Sequence, residues 1–391
     1  MINYSLSSDT WDDREVDALN RVIKSGRYTM GPEVKEYERQ FANFMGTKHA
    51  VMTNSGSSAN LIMLSALKLH PKFDTTTPGS ERPNIIVPAV SWSTTYFPVH
   101  QNDFDLKFVD VNPFTYNLDL QTVEKNIDFN TVGVLAVNLL GNPCPLEDLR
   151  TLCNEKDLVL LEDNCESLGA KLNNKQCATF GKMGTFSFFF SHHLQTMEGG
   201  MVVTDDDDLY EYLLPLRAHG WIRDLPEENS LLNKTGDNFE DSFKFVLPGY
   251  TVRPLEMSGA VGQTQLQKWP KMLEMRRKNA LVAQEHLQSP VMHLQTEIGK
   301  SSWFGFGLTC IGALEGRRRE VIDALQSQNV ECRPIVAGNF MRNPVIDHLN
   351  HIETPCPNAD YIHDNGFFIG NDCVDLEEKI KAVGRVIKDI V

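Results

Sequence analysis

Short apolar, β-branched runs recur along this chain between stretches of helical period, and turn residues bound each run. That alternation argues for a mainly parallel sheet flanked by helices, since each parallel strand needs a crossover before its neighbour. Strands are predicted at 49–53, 84–87, 132–138, 158–162, 185–190 and 200–204. A helix is predicted to open at Thr10 with an acidic first turn and to end near Ser25 and Gly26. Crossover helices are expected at 58–69 and 145–155, and helical pattern at 254–267 continues past Trp269 and Pro270 into 271–287. The polar stretch 223–238 reads as an excursion or lid. From about Val291 the pattern is that of a smaller α/β lobe, and 391 residues suffice for two lobes.

Charge and composition narrow the function classes. Thirty-seven Lys and Arg against 52 Asp and Glu give a net charge of −15, which repels nucleic-acid phosphates, so nucleic acid is set aside. The first ten residues lack a basic region followed by an apolar stretch, and no run approaches the ~20 apolar residues of a bilayer span. No membrane association is expected, and a cytoplasmic address follows as the default. The eight cysteines show no C-x-x-C spacing, which suits reduced thiols better than a disulfide or zinc framework, and no metal is expected. The run Asp205 to Asp208 reads as a solvated turn.

Four segments can carry chemistry, and each also admits a structural reading. Residues 54–60 (Asn-Ser-Gly-Ser-Ser-Ala-Asn) follow a predicted strand and open a predicted helix, so Gly56 and Ser57 either cap the helix or meet a phosphate at its positive end. Asp163 and Glu166 follow another strand at the sheet edge where ligands sit; an acid there is a cap, half of a salt bridge, or the partner of a cationic ring nitrogen. Trp92 follows a third strand and is core or a stacking surface. His192, in the doublet with His193 between an apolar run and Glu198-Gly199-Gly200, is structural or catalytic.

These motifs, with Ser187, occur in the order and spacing of fold-type-I pyridoxal-phosphate enzymes acting on nucleotide sugars, and the chain resembles the DegT/DnrJ/EryC1/StrS aminotransferase family. Residues 25–32, 141–144, 249–254 and 262–266 extend the resemblance essentially end to end. It implies an α/β fold with a large cofactor-binding domain over 1–270 and a small C-terminal domain over 271–391. It also implies that Asp163 pairs with the pyridine nitrogen, Glu166 approaches the ring hydroxyl, Gly56, Ser57 and Ser187 hold the phosphate, and Trp92 stacks on the ring. A homodimer with shared active sites is expected on the same ground. Thr251 stands where the family usually has an asparagine that reaches the neighbouring subunit's cofactor phosphate.

His192 falls on the position of the family's catalytic lysine. One branch carries that replacement, the nucleotide-sugar 3-dehydratases that use pyridoxamine phosphate (PMP). Residues 337–344 (Ala-Gly-Asn-Phe-Met-Arg-Asn-Pro) resemble a stretch of those dehydratases, so Asn339 and Arg342 are expected near the substrate, and Arg333, just before the stretch, with them. CDP-linked members of the branch carry clustered cysteines for an iron–sulfur centre, whereas this chain has none between Cys177 and Cys310.

The exchange has a chemical consequence. A lysine bonds covalently to the cofactor aldehyde and also moves protons, whereas imidazole moves protons only. The resemblance therefore implies removal of the C3 hydroxyl from a nucleotide-linked 4-keto-6-deoxy sugar, with His192 as acid and base and L-glutamate regenerating PMP from pyridoxal phosphate (PLP). The alternatives are an amino-sugar-forming transaminase that tolerates histidine, and an inactive homologue that binds a sugar nucleotide.

Overall fold

A computed structural model describes residues 1–73 and 82–391. Seven strands of the larger sheet come first: β1 (His49–Thr53), β2 (Asn84–Pro88), β3 (Asp105–Val109), β4 (Thr131–Val137), β5 (Val159–Asp163), β6 (Met183–Ser187) and β7 (Gly200–Thr204), with a hairpin of two-residue strands, Lys171–Leu172 and Lys175–Gln176, between β5 and β6. The C-terminal strands are β8 (Met292–Leu294), β9 (Gly305–Cys310), β10 (Cys332–Arg333), β11 (His351–Ile352) and β12 (Gly366–Gly370). The larger sheet runs β1-β7-β6-β5-β4-β2-β3-β11, and the smaller runs β8-β9-β12-β10. In the larger sheet β7 alone is antiparallel to its neighbours, so the carboxyl ends of β1, β2, β4, β5 and β6 share one edge. The smaller sheet is antiparallel throughout.

The fully buried strands β2 and β7 are apolar on both faces, as a sheet covered by helices requires. The sequence reading missed β3, because Asp105 and Lys107 interrupt its apolar run. Lys107 is nonetheless buried, its ammonium held by Asp128 at 2.5 Å. β6 ends at Ser187 rather than extending to Phe190, and Phe189 and Phe190 turn out of the sheet.

The first helix spans Asp13–Ser25, and its cap is Asp12, not Thr10: Asp12 and Glu15 form a reciprocal capping box. Thr10 is drawn away by hydrogen bonds from its hydroxyl to the side chains of Gln195 and Gln265. Gly26, at φ +69°, closes that helix in the left-handed conformation glycine tolerates. The long helix Glu256–His286 passes through Pro270 unbroken. Trp269 and Met272 pack into one core, against Phe41, Phe186 and Phe188, and Ala280 and Ala283 into another, against β8, β9 and β12.

Asp206 caps the helix Asp207–Arg217, while Asp207 pairs with Lys48 and His49 and Asp208 with Lys72. The excursion after Gly220 is pinned by Arg223, whose guanidinium stacks over Trp221 at 4.0 Å and Phe243 at 5.3 Å. All eight cysteines are unpaired. Among the described residues no helix is long and apolar enough to cross a membrane.

Candidate active site

The shared carboxyl edge opens into a cavity of about 310 Å3, lined by Gly56, Ser57, Trp92, Asp163, Glu166, Ser187, His192 and Arg333. Eight of the ten residues singled out in the sequence thus meet in one place. Asn339 and Arg342 do not line it. Asn339 is buried, capping the short helix Phe340–Arg342 and donating to Asp360 at 2.9 Å, while Arg342 pairs with Asp364 at 2.8 Å. Their segment docks beside the cavity instead, with the Phe340 N–H donating to the Ala89 carbonyl at the end of β2, and Val336 supplies part of the wall.

Ser55, not Ser57, caps the helix Gly56–Leu69 by accepting the Ser58 N–H at 3.1 Å. The capping serine and the cavity-lining serine are therefore different residues, and Ser57 lines the cavity at the positive end of the helix. A Cβ on Gly56 would lie 2.6 Å from the Ser187 Cβ and 2.9 Å from the Cys165 Sγ, so only glycine lets this turn approach the end of β6.

Asp163 ends β5 at 4% exposure. Its carboxylate accepts from the Asn60 amide at 2.9 Å, the Thr95 hydroxyl at 2.8 Å and the Cys165 N–H at 3.1 Å. All three donors are neutral, and none of the ion pairs among the described residues includes Asp163. A buried carboxylate without a counter-ion is costly unless a cation meets it, and the cavity is where that cation can stand. Asn60 and Thr95 were missed as site residues; both lie in motifs already quoted or adjacent, but nothing in their spacing shows that they converge on Asp163.

Glu166 accepts the Leu140 N–H at 2.9 Å. Burial pushes its carboxyl up to about 7, and the nearby Asp163 adds to the rise. As pH climbs through that value the folded protein must give up a proton that the unfolded chain loses near the ordinary glutamate value, so ionised Glu166 costs stability above neutrality. Glu166→Gln is expected to raise Tm by an increment equivalent to about 2 kcal/mol near pH 8, fading towards pH 4. Thermal melts across that range check the sign, and an increment independent of pH would contradict it.

Trp92 is not core: 57% exposed, it presents its indole to the cavity. His192 is carried on the turn after β6, closed by its own N–H to the Phe189 carbonyl at 2.8 Å. Its Nδ1 is enclosed without a hydrogen-bond partner, while Nε2 is not enclosed and makes no protein hydrogen bond, and the residue lines the cavity. Enclosure, with the positive charge of Arg276 second, pushes the imidazole down to about 4, so it is neutral at physiological pH. Among the described residues no lysine lines the cavity.

The model of the DegT/DnrJ/EryC1/StrS aminotransferase family matches residues 9–387. The chain belongs to that family. It is 50% identical over 394 residues to a GDP-4-keto-6-deoxy-D-mannose 3-dehydratase of Yersinia pseudotuberculosis, covering 99% of each chain. It is 47% identical to the enzyme of the same name from Escherichia coli O55:H7, covering 99% of this chain and 100% of the other. A solved structure of GDP-4-keto-6-deoxymannose-3-dehydratase with a trapped PLP-glutamate geminal diamine superposes with a TM-score of 0.94 at 47% identity, over 98% of this chain and 100% of that one. A variant of that enzyme with bound GDP-perosamine superposes equally well, with a TM-score of 0.94 at 46% identity over the same shares.

Thr251, at the family's asparagine position, is exposed on this chain, with its hydroxyl 2.7 Å from the His219 Nδ1.

Proposed function

We propose that this protein is a 3-dehydratase that uses PMP to remove the C3 hydroxyl of GDP-linked 4-keto-6-deoxymannose, with L-glutamate as amino donor. One observation carries the reading: the cavity that holds the uncompensated Asp163 is lined by an imidazole and, among the described residues, by no lysine.

The residues present fit the cofactor. Gly56, Ser57 and Ser187 would hold its phosphate at the helix N-terminus, Trp92 would cover the ring, Asp163 would meet the ring nitrogen, and Glu166 would lie beside the ring hydroxyl. Bound PMP supplies an amine for the sugar's keto group and a cationic ring that accepts electrons. Asp163 keeps that ring nitrogen protonated, since its carboxylate has only neutral protein donors of its own. His192 takes a proton through Nε2. Its conjugate acid is short-lived because no carboxylate stands behind Nδ1 to stabilise it, so the proton is readily handed to the departing C3 oxygen. Arg333, the cation at the mouth, suits the pyrophosphate of the substrate.

The net balance closes: the sugar loses one oxygen atom, glutamate becomes 2-oxoglutarate, and one ammonia is released. The division into a large domain 1–270 and a small domain 271–391 belongs to the same reading, supported by the change of core along the long helix between Met272 and Ala280. So does a homodimer, supported by the exposed Phe239, Phe243 and Phe245 near Thr251 in sequence. Incubation with PMP, glutamate and GDP-, CDP-, dTDP- or UDP-linked 4-keto-6-deoxy sugars tests the nucleotide: turnover is expected with the GDP sugar, and equal turnover with all four would contradict the assignment.

A further inference from the structure

A catalytic imidazole usually has its ring fixed by a hydrogen bond from the nitrogen that does not react. His192 has none: its Nδ1 is enclosed and unpartnered. Two aromatic rings pack on the imidazole instead. Phe304 stands at 5.2 Å between centroids, edge to face, and Phe189 at 5.9 Å in the same manner. Phe304 also packs at 5.3 Å against His193, so its ring seats both histidines, and it forms part of the cavity wall.

Phe304 is itself held more firmly than a packing residue requires. Its N–H donates to the Leu140 carbonyl at 2.9 Å, and the Ser302 N–H donates to the Gly141 carbonyl at 2.9 Å. From the other side Arg276, 3% exposed, donates through one nitrogen to the carbonyls of Asn371 at 2.8 Å, Phe304 at 3.3 Å and Trp303 at 3.4 Å. Two non-glycine residues in the left-handed region face each other across this junction, Leu140 at φ +54° and Trp303 at φ +49°. Such backbone persists only where its surroundings over-determine it, and it clusters at functional sites. Leu140 in turn donates its N–H to Glu166, another residue of the cavity lining.

Resting on the reading of His192 as acid and base, we propose that Phe304, clamped by Arg276 and Leu140, is a positioning residue that aims the His192 Nε2 into the cavity, doing by ring packing what a hydrogen bond to Nδ1 does elsewhere. Ring contact holds the imidazole without offering an acceptor for a second proton. The depressed pKa of His192, with Arg276 as its second cause, is the electrostatic counterpart of that seat.

Phe304→Leu keeps the site apolar but removes the ring. It is expected to lower kcat ~100-fold, the scale of a misaimed catalytic group, with KM within about twofold of the parent. In the full-length protein labelled with ring-13C histidine, the His192 resonance should titrate closer to ordinary histidine, and Phe304→Tyr should restore both kcat and the low titration. An unchanged kcat, a KM that rises in step with the loss, or a His192 titration identical to the parent would each overturn the proposal. If His192→Asn keeps parental turnover, the acid–base reading fails by itself. The titration of His192 in Phe304→Leu still decides whether Phe304 seats the ring.

Discussion

His192→Asn is expected to reduce turnover ~10³-fold or more while leaving cofactor binding within about threefold of the parent. Asparagine is close to imidazole in reach and can donate and accept hydrogen bonds, but it cannot take a proton from carbon. The change leaves in place Gly56, Ser57, Ser187, Trp92 and Asp163, the cavity-lining residues proposed to hold the cofactor. Equilibrium binding of PLP by absorbance and single-turnover kinetics separate the two effects. His192→Lys supplies the complementary signature, an imine between protein and PLP that borohydride reduces to a stable secondary amine and that the parent should lack. A parent protein that forms such a bond would place the reactive amine elsewhere and remove the imidazole from the centre of the account.

Asp163→Asn is expected to weaken cofactor binding ~100-fold or more and to reduce turnover at least as much, because breaking a buried charge pair costs about 3–5 kcal/mol. The same variant should melt higher than the parent when both are cofactor-free. In that state the parent buries a carboxylate whose donors, Asn60, Thr95 and the Cys165 N–H, are all neutral. Asparagine can accept from Asn60 and Thr95 through its one oxygen, and although the Cys165 N–H loses its acceptor, no charge has to be desolvated. Opposite signs for cofactor affinity and cofactor-free stability distinguish a residue kept for a ligand from one kept for the fold. A fall in both would make Asp163 a structural acid.

How far the sequence reaches depends on what kind of interaction does the work. The strands His49–Thr53 and Gly200–Thr204 stand where apolar runs bounded by turn residues place them, since burial on both faces leaves no ambiguity of pattern. β3 escapes that logic because Lys107 is buried by pairing with Asp128, a contact no local window contains. Thr10 looks like a cap and is outcompeted by Asp12 because Gln195 and Gln265, distant in sequence, take its hydroxyl.

The cavity shows the same division. Gly56, Ser57, Trp92, Asp163, Ser187 and His192 sit at or shortly after the carboxyl ends of strands, so their arrival at one edge follows from the topology of a parallel sheet. Phe304, Leu140 and Arg276 contribute ring contacts and backbone hydrogen bonds, and a phenylalanine or leucine carries no chemistry to read in one dimension. Asn339 and Arg342 lie in a segment that reaches the cavity's flank, but their side chains are committed to Asp360 and Asp364.

The most direct test supplies the purified protein with PMP, GDP-4-keto-6-deoxymannose and 15N-labelled L-glutamate, and follows the label by mass spectrometry. The account predicts a GDP-linked keto sugar lacking one oxygen atom and free of label, with labelled ammonia and 2-oxoglutarate released in equal amounts. A product that keeps its C3 oxygen and carries the 15N as a sugar amine would contradict it.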